Sequence, residues 1–343
     1  MYRIENFKAG NIKNYFANWH SITSDPETLQ TVNGLPIEFF ASRPENQFSQ
    51  NQFSMSEITV LKDEINKLLK KGVVTLSSHE ENEYISPIFL VPKEDNAFRM
   101  ILNLKRLNEY IPYLHFKMDT FDKVLTLIRP NCFMCTVDIK DAYYSVAIHE
   151  PDQKYLKFKF QNNLYKFVCL PNGLSTGPRK FTKLLKPVLS FLREKGYIVS
   201  AYIDDILIID YSFDSCIAAT IDTIKLLNYL GFVIQPSKSQ FIPKQCVTYL
   251  GFIINSATMK VTLPSSKIQK IKQACLSLHG SNTMPIRDVA SVVGLIVSAF
   301  PAVKFGPLHY RALECCKIEA LKSSHGNFDH AMSLSNSAYE DLD

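Results

Sequence analysis

Two adjacent carboxylates, Asp204 and Asp205, interrupt the most apolar run in the middle third of the chain, Tyr197-Ile-Val-Ser-Ala-Tyr-Ile-Asp-Asp-Ile-Leu-Ile-Ile-Asp210. Ile198, Val199, Ile206, Leu207, Ile208 and Ile209 read as two short buried strands, since β-branched side chains suit a pleated, buried surface. An unpaired carboxylate in such a setting is costly, so the pair must be neutralised or must hold a cation. A plain polar hairpin is the simpler alternative, but two-residue hairpins favour Asn-Gly or Asp-Gly over Asp-Asp. A metal-holding hairpin needs a third carboxylate. Cys135-Thr-Val-Asp138-Ile-Lys-Asp141-Ala-Tyr143-Tyr144 offers one, as a strand ending at Asp138 and followed by a turn or short helix. Asp138, Asp204 and Asp205 are therefore expected to converge on one edge of a sheet. Oxygen ligands without His or Cys suit magnesium or manganese. Two such ions roughly 4 Å apart serve phosphoryl transfer.

The bulk properties leave room for this chemistry. At 343 residues, 46% apolar and 21% charged, the chain has the composition of a soluble globular protein with two or more subdomains. The net charge of +5 is too mild to prove a polyanionic partner. Its distribution says more, because seven lysines and no acidic residue lie between Lys225 and Lys272, and Arg179, Lys180, Lys183 and Lys186 form a second cluster. Such clusters are either solvated faces or a track for a phosphate backbone. The eight cysteines lack regular spacing and read as reduced thiols of an intracellular protein, in cytoplasm or nucleus. Cys132-Phe-Met-Cys135 has no second pair or His cluster to complete a zinc site. Neither a signal-peptide core nor a bilayer-length apolar stretch is visible, so no membrane partner is expected.

Along the chain, residues 1–54 read as an extension and linker, with an imperfect polar tandem at Asn46-Gln-Phe-Ser-Gln and Asn51-Gln-Phe-Ser-Met. Ser54 and Glu57 form a capping box for a helix with Ile58, Leu61, Ile65 and Leu68 on one stripe and Gly72 as its stop. Ser86–Val91 and Phe98–Leu104 read as paired strands. Lys154, Lys157, Lys159 and Lys166 alternate with aromatics between His149 and Phe167, which suits nucleic acid or a half-buried strand equally. Leu170-Pro-Asn-Gly-Leu174 is a turn into a helix capped near Ser175 or Thr176, with Pro187 expected to kink it. Ile217–Leu230 reads as a helix and Gly231–Gln235 as a strand. Ile268, Ile271 and Cys275, then Val289, Val292, Val293, Ile296 and Val297, mark two amphipathic helices. A P-loop is absent.

The order Asp138-x-x-Asp141-Ala-Tyr-Tyr, Leu170-Pro-Asn-Gly-Leu174, Tyr202-Ile-Asp-Asp205 and Tyr249-Leu-Gly-Phe252 resembles the reverse transcriptases, over about Gly72 to Phe252. Leu-Pro-Asn-Gly-Leu-Ser and Pro301-Ala-Val-Lys-Phe-Gly-Pro-Leu-His-Tyr310 are similar to the DIRS-type retrotransposons. The resemblance implies an α+β right-hand polymerase: fingers and palm over 55–260, the palm an antiparallel sheet backed by helices, then a helical thumb or connection over 261–343. The chain is expected to stop short of any ribonuclease H domain, as a portion of a larger polyprotein. It also implies RNA-directed DNA synthesis on an RNA or DNA template with a primer, using deoxynucleoside triphosphates and two magnesium ions, with manganese as the alternative. Asp138, Asp204, Asp205 and the Ile139 carbonyl would hold the metal. Lys93, Arg99, Ile139, Asp141, Ala142, Tyr143 and Asn172 would bind nucleotide, Tyr143 as the steric gate against a ribose 2′-hydroxyl. Lys238 would protonate pyrophosphate, and Leu250, Gly251 and Phe252 would grip the primer. Two rival readings are a two-metal nuclease and an inactive remnant that binds nucleic acid.

Overall fold

A computed structural model describes residues 7–40, 52–92 and 98–342. After a short 3₁₀ turn the chain forms α1 (Phe16–His20) and α2 (Pro26–Asn33). Asp25 caps α2, accepting from the Thr28 amide at 2.8 Å, and Pro26 sits where the missing N–H costs nothing. The expected capping box starts α3 (Met55–Lys70), which buries Leu61 and Ile65 and ends before Gly72, at φ +71°. There follow β1 (Val74–Ser77), the β2 (Ile88–Pro92) and β3 (Phe98–Leu102) hairpin, α4 (Lys105–Asn108), α5 (Phe121–Leu127) and β4 (Phe133–Asp138). Next come β5 (Lys157–Phe160), β6 (Asn163–Phe167), α6 (Gly177–Glu194), the β7 (Ile198–Tyr202) and β8 (Asp205–Asp210) hairpin, and α7 (Phe213–Tyr229). The chain continues through β9 (Gln240–Lys244), β10 (Cys246–Tyr249), β11 (Phe252–Asn255), β12 (Lys260–Thr262), α8 (Ser265–His279), β13 (Met284–Pro285), α9 (Ile286–Val297), α10 (Arg311–Ser323), β14 (Ala331–Met332) and α11 (Asn336–Glu340).

The described residues form two units, one of residues up to 119 with 135–242, the other of 120–134 with 243–342. The first is built on a four-stranded sheet in the order β7-β8-β4-β9, with α6 packed on β7 and α7 on β8. Phe181, Leu184, Leu185, Val188 and Leu192 of α6 are buried as their spacing requires. The helix runs on through Pro187 to Glu194. A second sheet, β1-β6-β5, is antiparallel. Residues 231–235 do not form the expected strand. They touch the end of β4 at a single bridge, Ile139 to Ile234, flanked by bonds from Lys140 N–H to the Val233 carbonyl and from Gln235 N–H to the Asp138 carbonyl.

The segment read as an extension is an integral part of this unit from residue 7 to 40. Trp19 is fully buried, stands edge-on to Phe232 at 5.9 Å and donates its indole N–H to the Leu230 carbonyl at 3.0 Å. Leu35 bridges Ile148. The tandem at 46–51 lies outside the described residues. Three of the four members of the basic cluster on α6 pair with acids of the same unit, which gives them a structural role that the sequence did not suggest. Glu27 of α2 pairs with Arg179 at 3.1 Å, Lys180 at 3.2 Å and Lys183, and Lys180 reaches Glu38 at 3.1 Å. Likewise Lys157 is fully buried between Glu80 and Glu83, each at 2.7 Å, so it serves the fold and not a nucleic acid.

The second unit packs α8, α9, α10 and α11 around Leu278, Ile286, Val289, Val292, Val293, Leu313 and Ala338. The apolar stripe expected on α8 is only partly covered: Leu278 is buried, Ile271 and Cys275 are half-buried, and Ile268 is 48% exposed.

The hydrogen bond from Lys183, with Lys180 beside it, holds the Glu27 carboxyl down at about 2. A carboxyl with a folded pKa below its unfolded value stabilises the fold above the ordinary carboxylate range, and loses that effect as pH falls through the folded value. Glu27→Gln should therefore lower the unfolding free energy by about 1–2 kcal/mol at neutral pH. The deficit should vanish as pH falls from the ordinary carboxyl value of 4.5 towards 2 in denaturant melts. A deficit independent of pH would contradict the assignment.

Candidate active site

The register of β7 and β8 pairs Tyr202 with Asp205 and leaves Ile203 and Asp204 as a two-residue turn. Ile203 has φ +56°, a left-handed conformation that a β-branched residue adopts only under strain. Four buried residues behind the turn, Ile206 to Ile209, anchor it in the sheet. The Asp204 carbonyl accepts from the Ile139 amide at 3.0 Å, which ties the hairpin tip to the end of β4. Asp138, 8% exposed, is fixed through its backbone from the other side. Its N–H donates to Ser239 Oγ at 3.0 Å, and its carbonyl accepts from the Gln235 amide at 2.9 Å. Ser239 in turn donates to the Gln235 carbonyl at 2.8 Å.

Burial pushes the Asp138 carboxyl up to about 6, with Asp204, Asp205 and Asp141 adding to the rise and Lys238 opposing it. Asp205 is raised by burial and by Asp204, again against Lys238. Residues far apart in sequence thus share one patch of negative potential. Among the described residues, no three acidic, histidine or cysteine side chains are gathered closely enough to hold a metal ion as they stand. The expected metal cluster is therefore not pre-assembled. The donor chemistry still suits a hard divalent cation, because every acidic oxygen is a carboxylate and the crowding of charge is what such an ion relieves.

A cleft of about 470 Å³ opens here, lined by Arg99, Asp141, Ala142, Tyr143, Asn172, Asp204 and Lys238, together with Glu64, Lys67, Leu68, Lys71, Met100, Tyr144 and Ile203. Of the expected nucleotide-binding residues, Lys93 lies outside the described residues, Ile139 is buried and does not line the cleft, and Arg99, Asp141, Ala142, Tyr143 and Asn172 meet in it. Tyr143 stands edge-on to Phe181 of α6 at 5.5 Å, and burial pushes its hydroxyl up to about 12. The Asn172 amide donates to the Tyr144 hydroxyl at 3.4 Å. Burial also raises Tyr144. The expected grip residues belong to the second unit. Leu250 and Gly251, at φ +50° and +76°, form the turn between β10 and β11, the conformation such hairpins require. Phe252 stacks on Phe121 at 4.3 Å and lies under the Lys267 ammonium at 4.4 Å.

Sequence reasoning missed Ser239 and the basic end of α3. Ser239 follows Lys238 in Gln-Pro-Ser-Lys-Ser and carries no signal of its own. Lys70-Lys71 was legible as a helix C-terminus, where cations are favoured anyway.

The hairpin presents paired aspartates beside a third on the neighbouring strand, next to a cleft lined by both acids and bases, in an α+β fold of the right-hand polymerase type. Comparison with solved structures agrees on the fold. A foamy viral protease–reverse transcriptase complexed with double-stranded DNA matches all of this chain and 60% of its own, with TM-score 0.68 and 19% identity. The same protease–reverse transcriptase with an RNA/DNA hybrid gives 0.65, over 96% and 48%. Residues 91–254 match the family model for reverse transcriptase (RNA-dependent DNA polymerase). The Tf2-3 and Tf2-7 transposon polyproteins of Schizosaccharomyces pombe are 23% and 22% identical over 255 residues, 72% of this chain. The chain spans 18% of the length of those polyproteins.

Because Asp138 is pushed above its ordinary value of 3.8, its ionised form opposes folding. With chelator present at neutral pH, Asp138→Asn should be more stable than the native chain by about 2 kcal/mol. That gain should fade as pH falls through about 6. Loss of stability on this substitution, read by thermal melting, would contradict the charge crowding.

Proposed function

We propose that the chain is an RNA-directed DNA polymerase of a retrotransposon, extending a primer on an RNA or DNA template with deoxynucleoside triphosphates. The observation that carries the reading is the single cleft in which Arg99, Tyr143, Asn172, Asp204 and Lys238, from five separate segments, face one another. The primer 3′-hydroxyl attacks the α-phosphorus and pyrophosphate leaves in line. Asp138, Asp204, Asp205 and the Ile139 carbonyl would hold two magnesium ions, or manganese, which when bound supply charge neutralisation and a more acidic hydroxyl. Arg99, with Lys93, receives the triphosphate, and Asp141, Ala142 and Asn172 border it. Lys238 donates a proton to the departing pyrophosphate. The Tyr143 ring, packed on Phe181, crowds the position of a ribose 2′-hydroxyl. Leu250, Gly251 and Phe252 grip the primer end. The protease–reverse transcriptase complexes with double-stranded DNA and with an RNA/DNA hybrid support a duplex substrate.

The polyprotein relatives support other parts of the same element as partners. The Leu170–Ser175 and Pro301–Tyr310 textures support a DIRS-type origin. Eight free thiols support an intracellular setting. No described helix is long and apolar enough to cross a membrane.

Primer extension on a homopolymer template tests the reading. Native protein should lengthen the primer with magnesium or manganese, and Asp204→Asn should lose at least about a hundredfold in rate. Tyr143→Ala should admit ribonucleotides. Shortening of the primer would favour a nuclease, binding without extension would favour a remnant, and unchanged sugar selectivity would remove the gate from Tyr143.

A further inference from the structure

The cleft has a wall that the nucleotide-binding motifs do not account for, the C-terminal end of α3. Lys71, which follows the last residue of that helix, places its ammonium 2.7 Å from Asp141 Oδ2, and both side chains line the cleft. Asp141 itself sits at φ +49°, the left-handed region. It stands between the metal-site strand that ends at Asp138 and the gate residue Tyr143. The contact is braced from outside. The Lys71 carbonyl accepts from the Ala9 amide at 3.0 Å, and the neighbouring Gly10 amide donates to the Tyr144 carbonyl at 2.8 Å. Gly10 has φ +68°, and a Cβ there would meet Ala147 Cβ at 3.1 Å, so the strand of chain at 7–10 fits this place closely. One short segment thus ties the end of α3 to the turn that carries Asp141, Tyr143 and Tyr144.

Asp141 is a fourth carboxylate beside a triphosphate site. Left ionised and unpaired it would repel the incoming phosphates, and it raises Asp138 as well. We propose that Lys71 is a positioning residue for the incoming nucleoside triphosphate, acting through Asp141: it cancels that carboxylate and fixes the 141–144 turn against the phosphates. The inference rests on the polymerase reading above and deepens it by adding α3 and the chain at 7–10 to the nucleotide site.

Steady-state primer extension at varied deoxynucleotide concentration tests it. Lys71→Ala should raise KM for the deoxynucleotide about tenfold, the order expected for one lost charge-assisted hydrogen bond, and leave kcat within about twofold. Lys71→Arg should hold KM close to the native value. The deciding variant is Lys71→Ala combined with Asp141→Asn, since asparagine removes the charge and tolerates the left-handed backbone. If Lys71 acts through Asp141, the double variant should recover most of the lost affinity. An unchanged KM in Lys71→Ala, or a double variant as impaired as Lys71→Ala alone, overturns the proposal. If Lys71→Ala has no cooperative melt, Lys71→Met, which keeps the aliphatic stem, replaces it with the same two outcomes. A native protein that extends no primer overturns the polymerase reading instead.

Discussion

One backbone hydrogen bond, from the Ile139 amide to the Asp204 carbonyl, joins the two halves of the site. It locks the tip of the β7–β8 hairpin against the end of β4, and so sets Asp138 beside Asp204 and Asp205. The surrounding architecture serves this junction. The buried run from Ile206 to Ile209 fixes the hairpin in the sheet, α6 and α7 cover β7 and β8, and the Gln235–Ser239 turn holds Asp138 by both its N–H and its carbonyl. A single strained residue, Ile203, absorbs the sharp reversal at the tip.

The arrangement works against stability in its metal-free form. Burial and mutual repulsion push Asp138 and Asp205 upward, and Lys238 offsets only part of this. Charge crowding of that kind is expected where a fold is organised around a reaction, and a bound cation would relieve it. Elsewhere the same chain pairs its charges conservatively. Glu27 collects three cations of α6, and Lys157 is enclosed by two glutamates.

Much of this was legible in the sequence, and the reason differs from place to place. The hairpin was readable because two acids inside an isoleucine-rich run have few physical explanations. The α3 cap was readable because Ser54 and Glu57 stand at capping-box spacing. What could not be read was anything decided by long-range partners. Arg179, Lys180 and Lys183 look like a nucleic-acid track alone until Glu27, far upstream, is seen to pair with all three. Lys71 looks like a helix end until Asp141 is found beside it. Trp19 gives no local hint that it will be buried against Leu230 and Phe232. Residues 231–235 have strand-forming side chains, yet only one bridge to β4 forms. The stripe on α8 marks a helix correctly and overstates its burial, since periodicity reports a face and not what covers it.

The central claim is that residues on two separate strands make one cation site. Its most direct measurement is manganese binding, followed by the paramagnetic signal of the free ion, in the native chain and in Asp138→Asn and Asp204→Asn. The account predicts that either substitution alone abolishes the tight manganese sites while the cooperative melt is kept. Native-like binding in one variant and loss in the other would show that the two strands do not share a site, and would contradict it.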